Sequence, residues 1–152
     1  MIQRIQTLYL LIVTVLMAVT VFLPFLTLSA DDLTSVDLSF RGFTVDGWNW
    51  TVATGCLSVM TALIALLSLG DIFLFTNRAL QVRICIFNML LMVGWYALLA
   101  VVVWFEMQNT SYTHLHLHIA CCFPLVSIIL TYLAMRGILK DDALVKSLDR
   151  LR

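Results

Sequence analysis

The side chains best suited to chemistry are the three histidines, His114, His116 and His118, which alternate within a single short window. If that window is extended, all three imidazoles lie on one side; if it is helical, His114 and His118 share a face. Either arrangement could bind a transition metal. A physiological metal site, however, needs a defined ligand set held by further hydrogen bonds. Here no acidic residue or thiol is close in sequence except Cys121 and Cys122. Haem held between helices is a poorer fit still, because bis-imidazole ligation across a bundle needs histidines on two helices.

The four cysteines, Cys56, Cys85, Cys121 and Cys122, all fall inside apolar runs. Adjacent Cys121 and Cys122 would point about 100° apart on a helix and do not form a CxxC redox motif. All four read as small apolar fillers, not as a disulfide framework. No nucleophile–base pair, phosphate loop or metalloprotease motif is present in the sequence. No catalytic, cofactor-binding or metal-binding residue is therefore assigned, no cofactor is expected, and enzyme chemistry is unsupported.

The elements that would position these residues belong to a membrane. Of the 152 residues, 62% are hydrophobic and 12% charged, and the mean hydropathy is +1.00. An ordinary soluble domain is roughly a quarter charged. The formal net charge is zero, which gives no electrostatic argument for a nucleic-acid partner.

Uncharged runs of sufficient length, roughly 20 apolar residues for a spanning helix, place membrane spans at about 7–28, 51–69, 84–105 and 118–135. Arg4 ahead of the first run and Leu28-Ser29-Ala30 at its end invite a signal-peptide reading. The apolar stretch is longer than the roughly 7 to 15 residues of a signal core, so it is expected to be retained. Pro124 is expected to kink the fourth span, and Pro24 to bend or end the first.

Of the nine Lys and Arg residues only Arg41 lies beyond the outer ends of these spans; the others precede span one, join spans two and three, or follow span four. The positive-inside rule then puts both termini in the cytoplasm. The outer loop 29–50 alternates Val36, Leu38 and Phe40 with Asp37, Ser39 and Arg41, then Phe43 and Val45 with Thr44 and Asp46. Arg41-Gly42 between them predicts a small β-hairpin, with Trp48 and Trp50 at headgroup level. The tail 137–152 carries Ile138, Leu144, Leu148 and Leu151 near one helical face, which predicts a short amphipathic helix on the cytoplasmic surface. Its Lys146, Arg150 and Arg152 are expected to contact anionic lipid headgroups. Asp141, Asp142 and Asp149 are expected to pair with Arg4, Arg78 or Arg83.

Within the spans no Asp, Glu, Lys or Arg is expected, since Asp71 closes the second run. That argues against a proton-coupled carrier or a channel for charged substrates. Asn88 is the most polar side chain at depth. Thr54, Ser58, Ala62 and Ala65 on span two, and Gly94, Ala97 and Ala100 on span three, form small-residue stripes that let helices approach closely.

The opening MIQRIQTLYLL, Met1 to Leu11, and the closing KDDALVKSLDRLR, Lys140 to Arg152, resemble the two ends of a bacterial family of small four-span membrane proteins known only as a domain of unknown function. The resemblance implies four helices and a bacterial inner-membrane location, and no activity. A second resemblance, to claudin-like four-span proteins with a strand-rich first outer loop, stops at the absence of a cysteine pair in that loop. The expected fold is an all-α four-transmembrane-helix bundle with a small β-hairpin and a short C-terminal amphipathic helix. The expected function is that of a non-enzymatic accessory or scaffold protein embedded in the lipid bilayer, binding another membrane protein or a second copy of itself. The alternative is a small lipid- or quinone-binding protein using Asn88, Trp95 and Tyr96.

Overall fold

Each uncharged run becomes a helix because a membrane offers the backbone no other partner for its N–H and C=O groups. A computed structural model of the chain describes residues 3–24, 26–31, 34–39, 42–44, 48–49, 52–74, 77–109 and 114–149. Its helices are α1 (Gln3–Phe22), α2 (Val52–Phe73), α3 (Arg78–Asn109) and α4 (Phe123–Asp149). All four are long and apolar enough to cross a membrane. The protein is a multi-pass membrane protein of all-α architecture. No more than 33% of each apolar window is buried inside the protein, which leaves the larger share of each helix for lipid, with Leu8, Val59, Leu66 and Leu90 more than half exposed.

Prolines set two boundaries. Pro24 cannot donate and disfavours helical geometry at Leu23, and α1 ends at Phe22. The first run is therefore helical only in part: its last residues, from Leu26, belong to a strand, not to the helix expected through Leu28. Pro124 lies in the first turn of α4, directly after a 3-10 turn over Ile119–Cys122. A proline there costs no hydrogen bond, because first-turn amides have no acceptor within the helix, so it starts the helix and does not kink it.

The helices form a ring in which α1 packs on α2 and α4, and α3 packs on α2 and α4. Val13, Met17, Leu57, Ile64, Met92 and Trp95 fill the half of the interior nearer Leu26, and Leu10, Cys85, Ala134 and Ile138 form an inner cluster in the half nearer the chain termini. Gln6 Nε2 donates to Asp141 Oδ2 at 3.1 Å, so the start of α1 and the end of α4 lie at one end of the bundle. The α2–α3 connection lies at that end too, since Ile72 and Val82 pack on the inner cluster.

The opposite end carries a five-stranded antiparallel sheet of order β4-β3-β2-β1-β5: β1 (Leu26–Asp31), β2 (Thr34–Ser39), β3 (Gly42–Thr44), β4 (Trp48–Asn49) and β5 (His114–Leu117). The expected hairpin is β2–β3, with Leu38 opposite Phe43 and Ser39 opposite Gly42. Phe40, Arg41, Val45, Asp46 and Trp50 lie outside the described residues. The hairpin is part of a larger sheet because β1 emerges straight from α1 and pairs with β2 on one side and β5 on the other. At the C-terminus the helical tail is the continuation of α4 through Gly137 to Asp149, not a separate helix. Ile138 on it is buried; Leu151 lies outside the described residues, as does Arg152.

Candidate functional site

Polar residues recur on the inner face of each helix at helical spacing. Buried positions on α2 include Thr61, Ile64, Ser68 and Asp71; those on α3 include Gln81, Cys85, Asn88, Met92 and Trp95; those on α4 include Ser127, Thr131, Ala134 and Ile138. In an apolar interior such groups must find partners in the protein, and most do.

In the half of the bundle nearer the sheet Trp95 Nε1 donates to Thr61 Oγ1 at 2.9 Å, and the Thr61 hydroxyl passes its own hydrogen to the Leu57 carbonyl at 2.8 Å. Thr20 and Thr131 likewise back-bond to the carbonyls of Leu16 and Ser127. Ser127 Oγ has no partner among the described residues. One layer further in, Thr14 Oγ1 stands 2.9 Å from the Leu10 carbonyl and 3.1 Å from Ser68 Oγ, while Ser68 donates to the Ala65 carbonyl at 2.9 Å. The antiparallel offset that sets Thr61 against Trp95 and Asp71 against Cys85 also brings Ser68 level with Asn88. Asn88 Oδ1 is buried without a partner among the described residues.

At the inner end Asp71 is 1% exposed. Cys85 Sγ donates to Asp71 Oδ2 at 2.8 Å, and Gln81 Nε2 donates to the Asp71 carbonyl at 3.2 Å. Asp71 Oδ1 has no partner among the described residues. Asp71 does not close the run from outside but folds inward, within the apolar window of α2 that extends to Phe73. Cys85 is not an inert filler, because its thiol is spent on that carboxyl.

At the sheet end, Tyr96 of α3 ties down the start of α4: its hydroxyl donates to the Cys121 carbonyl at 2.6 Å and accepts from the Leu125 N–H at 3.0 Å. That amide is one of the first-turn donors an α-helix cannot satisfy itself. The indole of Trp95 meets the Tyr96 ring edge-on at 5.2 Å. The polar ends of both aromatic residues are thus committed within the protein. Of the Asn88, Trp95 and Tyr96 set, only Asn88 keeps an open acceptor.

The histidine window takes the extended alternative as β5. Register places Thr27 of β1 between Asp37 and His116. Thr27 Oγ1 donates to Asp37 Oδ1 at 2.5 Å, and His118 Nε2 lies 2.7 Å from the same threonine oxygen. With its one hydrogen given to Asp37, Thr27 accepts from His118, whose Nε2 then carries a proton. This is the reverse of a nucleophile–base pair, since His118 in that state cannot take the threonine proton. The contact fastens the entry to α4 onto the sheet. His116 and His118 are exposed. Among the described residues no group of three or more His, Cys, Asp or Glu is placed to hold a metal ion.

The small-residue stripes divide. Ser58 is buried and Ala62 and Ala65 half-buried, facing the bundle, whereas the side chain of Thr54 lies outside the described set. On α3, Gly94 faces Met60 of α2, whose Cε would lie at an ordinary contact distance, 3.5 Å, from a Cβ at that position. Ala97 and Ala100 are exposed and turn toward lipid.

Comparison with known proteins places the chain. The family model described as a domain of unknown function (DUF4293) matches residues 2–151, so the chain belongs to that family. No curated protein and no solved structure matches it.

Proposed function

We propose that this member of the family is a non-enzymatic accessory or scaffold protein of the bacterial inner membrane, with both termini in the cytoplasm and its sheet on the outer surface. The bacterial placement rests on the resemblance of the chain's two ends, and the orientation on the distribution of Lys and Arg. The observation that carries the scaffold reading is β5. Among the described residues it is an edge strand of the sheet; its last residue, Leu117, and nearby Ile119 are 65% and 79% exposed. An edge strand offers unpaired backbone groups that a partner's strand can complete, and apolar side chains next to that edge add buried area on docking.

The test is purification in mild detergent with a photo-crosslinker at Leu117 and, for comparison, at lipid-facing Leu90. A discrete protein adduct from position 117 alone is expected, either with another membrane protein or with a second copy. Repeated recovery of an uncrosslinked monomer from both positions would sink the reading. The alternative, a small lipid- or quinone-binding protein, draws on one feature, the open acceptor of Asn88. A quinone retained through purification and released by Asn88→Leu would favour it.

A further inference from the structure

A cavity of about 610 Å³ opens at the end of the bundle that carries both termini, lined by Asn77, Arg78, Ala79, Leu80, Arg83 and Asp142. We propose that this pocket binds the phosphodiester of a membrane phospholipid headgroup, held by the guanidinium groups of Arg78 and Arg83. The reading is independent of the scaffold role, which concerns the other end of the molecule.

Charge is the first argument. Among the described lining residues two guanidinium groups and one carboxylate leave one positive charge in excess, which matches the single negative charge of a phosphodiester. Arginine forks suit phosphate oxygens in particular. Arg78 also has an unmet need: its Nη1 is buried with no hydrogen-bond partner among the described residues, and a buried donor left unpaired is costly enough to call for an acceptor. The backbone adds to the field. Asn77 lies just ahead of α3, and its carbonyl receives the N–H groups of Leu80 and Gln81, both at 3.0 Å, so the positive end of the α3 dipole opens on the same cavity.

Position selects a lipid over free phosphate. Leu80, on the pocket wall, is 44% exposed, and below it on the same side of α3 Phe87 is 53% and Leu90 64% exposed. These residues form an apolar track from the arginines into the depth of the membrane. A headgroup seated at the arginines would lay an acyl chain along that track, a contact inorganic phosphate cannot make.

The experiment uses the full chain in mild detergent and native mass spectrometry. The protein is titrated with phosphatidylglycerol and, separately, with inorganic phosphate, as the unaltered chain and as R83Q, R78Q and K140Q. Lys140 is exposed and does not line the pocket, so K140Q removes the same charge elsewhere on the same end. A one-lipid adduct is expected for the unaltered chain and for K140Q, with R83Q and R78Q needing about tenfold more lipid, the effect of losing one charge-assisted hydrogen bond. Inorganic phosphate is expected to leave no adduct. Because Arg78 is partly enclosed, R83Q at an exposed position decides the matter, with far-UV circular dichroism checking that its helices persist. Equal lipid occupancy in all variants, equal weakening by K140Q, or phosphate binding as tightly as lipid would each overturn the proposal.

Discussion

Gln6 and Asp141, near opposite ends of the chain, are joined by an amide-to-carboxylate hydrogen bond of 3.1 Å, and Gly137 makes room for it. A Cβ at position 137 would stand 3.0 Å from Gln6 Cγ and 3.1 Å from its Nε2, tight enough that the Gln6 side chain would have to give by a few tenths of an ångström.

Two glycine substitutions should therefore have opposite signs. A methyl group added at Gly70 would meet nothing within 4 Å, so G70A gains only the helix propensity of alanine, roughly 0.5 to 1 kcal/mol. G137A gains the same amount but must displace Gln6, which is 7% exposed, and overpacking costs about 1 to 3 kcal/mol. Thermal unfolding in detergent should show G70A at or above the unaltered protein and G137A below it. If G137A is as stable as G70A, Gln6 has room to move and the α1–α4 contact is looser than its geometry states.

The Trp95–Thr61 bond offers a second test. T61V keeps the shape of the side chain but removes the hydroxyl that the buried indole N–H donates to at 2.9 Å. Side-chain hydrogen bonds between membrane helices contribute about 0.6 kcal/mol on average and up to about 2. T61V should lose stability in that range, T61S should keep most of it, and T61V combined with W95F should recover part of the loss. No recovery in the double variant would mean that the cost of T61V lies in packing and not in the lost hydrogen bond.

The helices are legible in the sequence because lipid imposes one solution on a long uncharged run, and β2–β3 because Leu38 and Phe43 alternate with polar neighbours around Gly42. The end of α1 is not: Leu26 and Leu28 are as apolar as the helix before them, and only Pro24 hints that the chain leaves the helix there. Strand β5 is hidden because three histidines in alternation fit either geometry until β1 supplies a pairing partner. Asp71 misleads because a charged residue at the end of an apolar run ordinarily marks the water boundary. Nothing local to it reveals that Cys85, on the next helix, will turn a thiol toward it. Small-residue spacing correctly places Ser58 and Ala62 inward on α2, but spacing alone cannot tell which side of α3 its neighbours will cover, and Ala97 faces out.

Orientation can be settled with a reporter active only outside the cytoplasm. Signal is expected from fusions after Asp46 and after Thr113, and none from fusions after Asn77 or Arg152, because Arg78 and Arg83 in the first turns of α3 and Arg136 and Lys140 in the later part of α4 should stay inside. Signal from the Arg152 fusion would place the arginine-lined pocket on the outer surface and overturn the charge-based assignment.

The burial of Asp71 is expensive for the fold. Cys85 satisfies one carboxyl oxygen with a thiol, a weak donor, and the other has no partner among the described residues. A leucine of similar size would remove the unpaired oxygen and add apolar contact with Ile72 and Val82 in the inner cluster. Replacing buried polar groups with apolar groups of the same shape is commonly neutral or stabilising. D71L should therefore hold or raise thermal stability in detergent, by on the order of 1 kcal/mol, while D71A should lower it by leaving a cavity. Thiol labelling supplies an independent reading: Cys85 is fully buried while Cys56 and Cys122 are exposed and Cys121 half-buried, so in C56A/C121A/C122A protein, where Cys85 is the one thiol left, a maleimide should react slowly, and equally slowly after D71L. If D71L instead unfolds the protein or opens Cys85 to rapid labelling, the carboxyl has a structural partner and the inner end of the bundle depends on it. If D71L is stable yet the protein no longer supports the growth or assembly phenotype of its host, Asp71 is kept for function at a cost in stability, as intramembrane ionisable residues generally are.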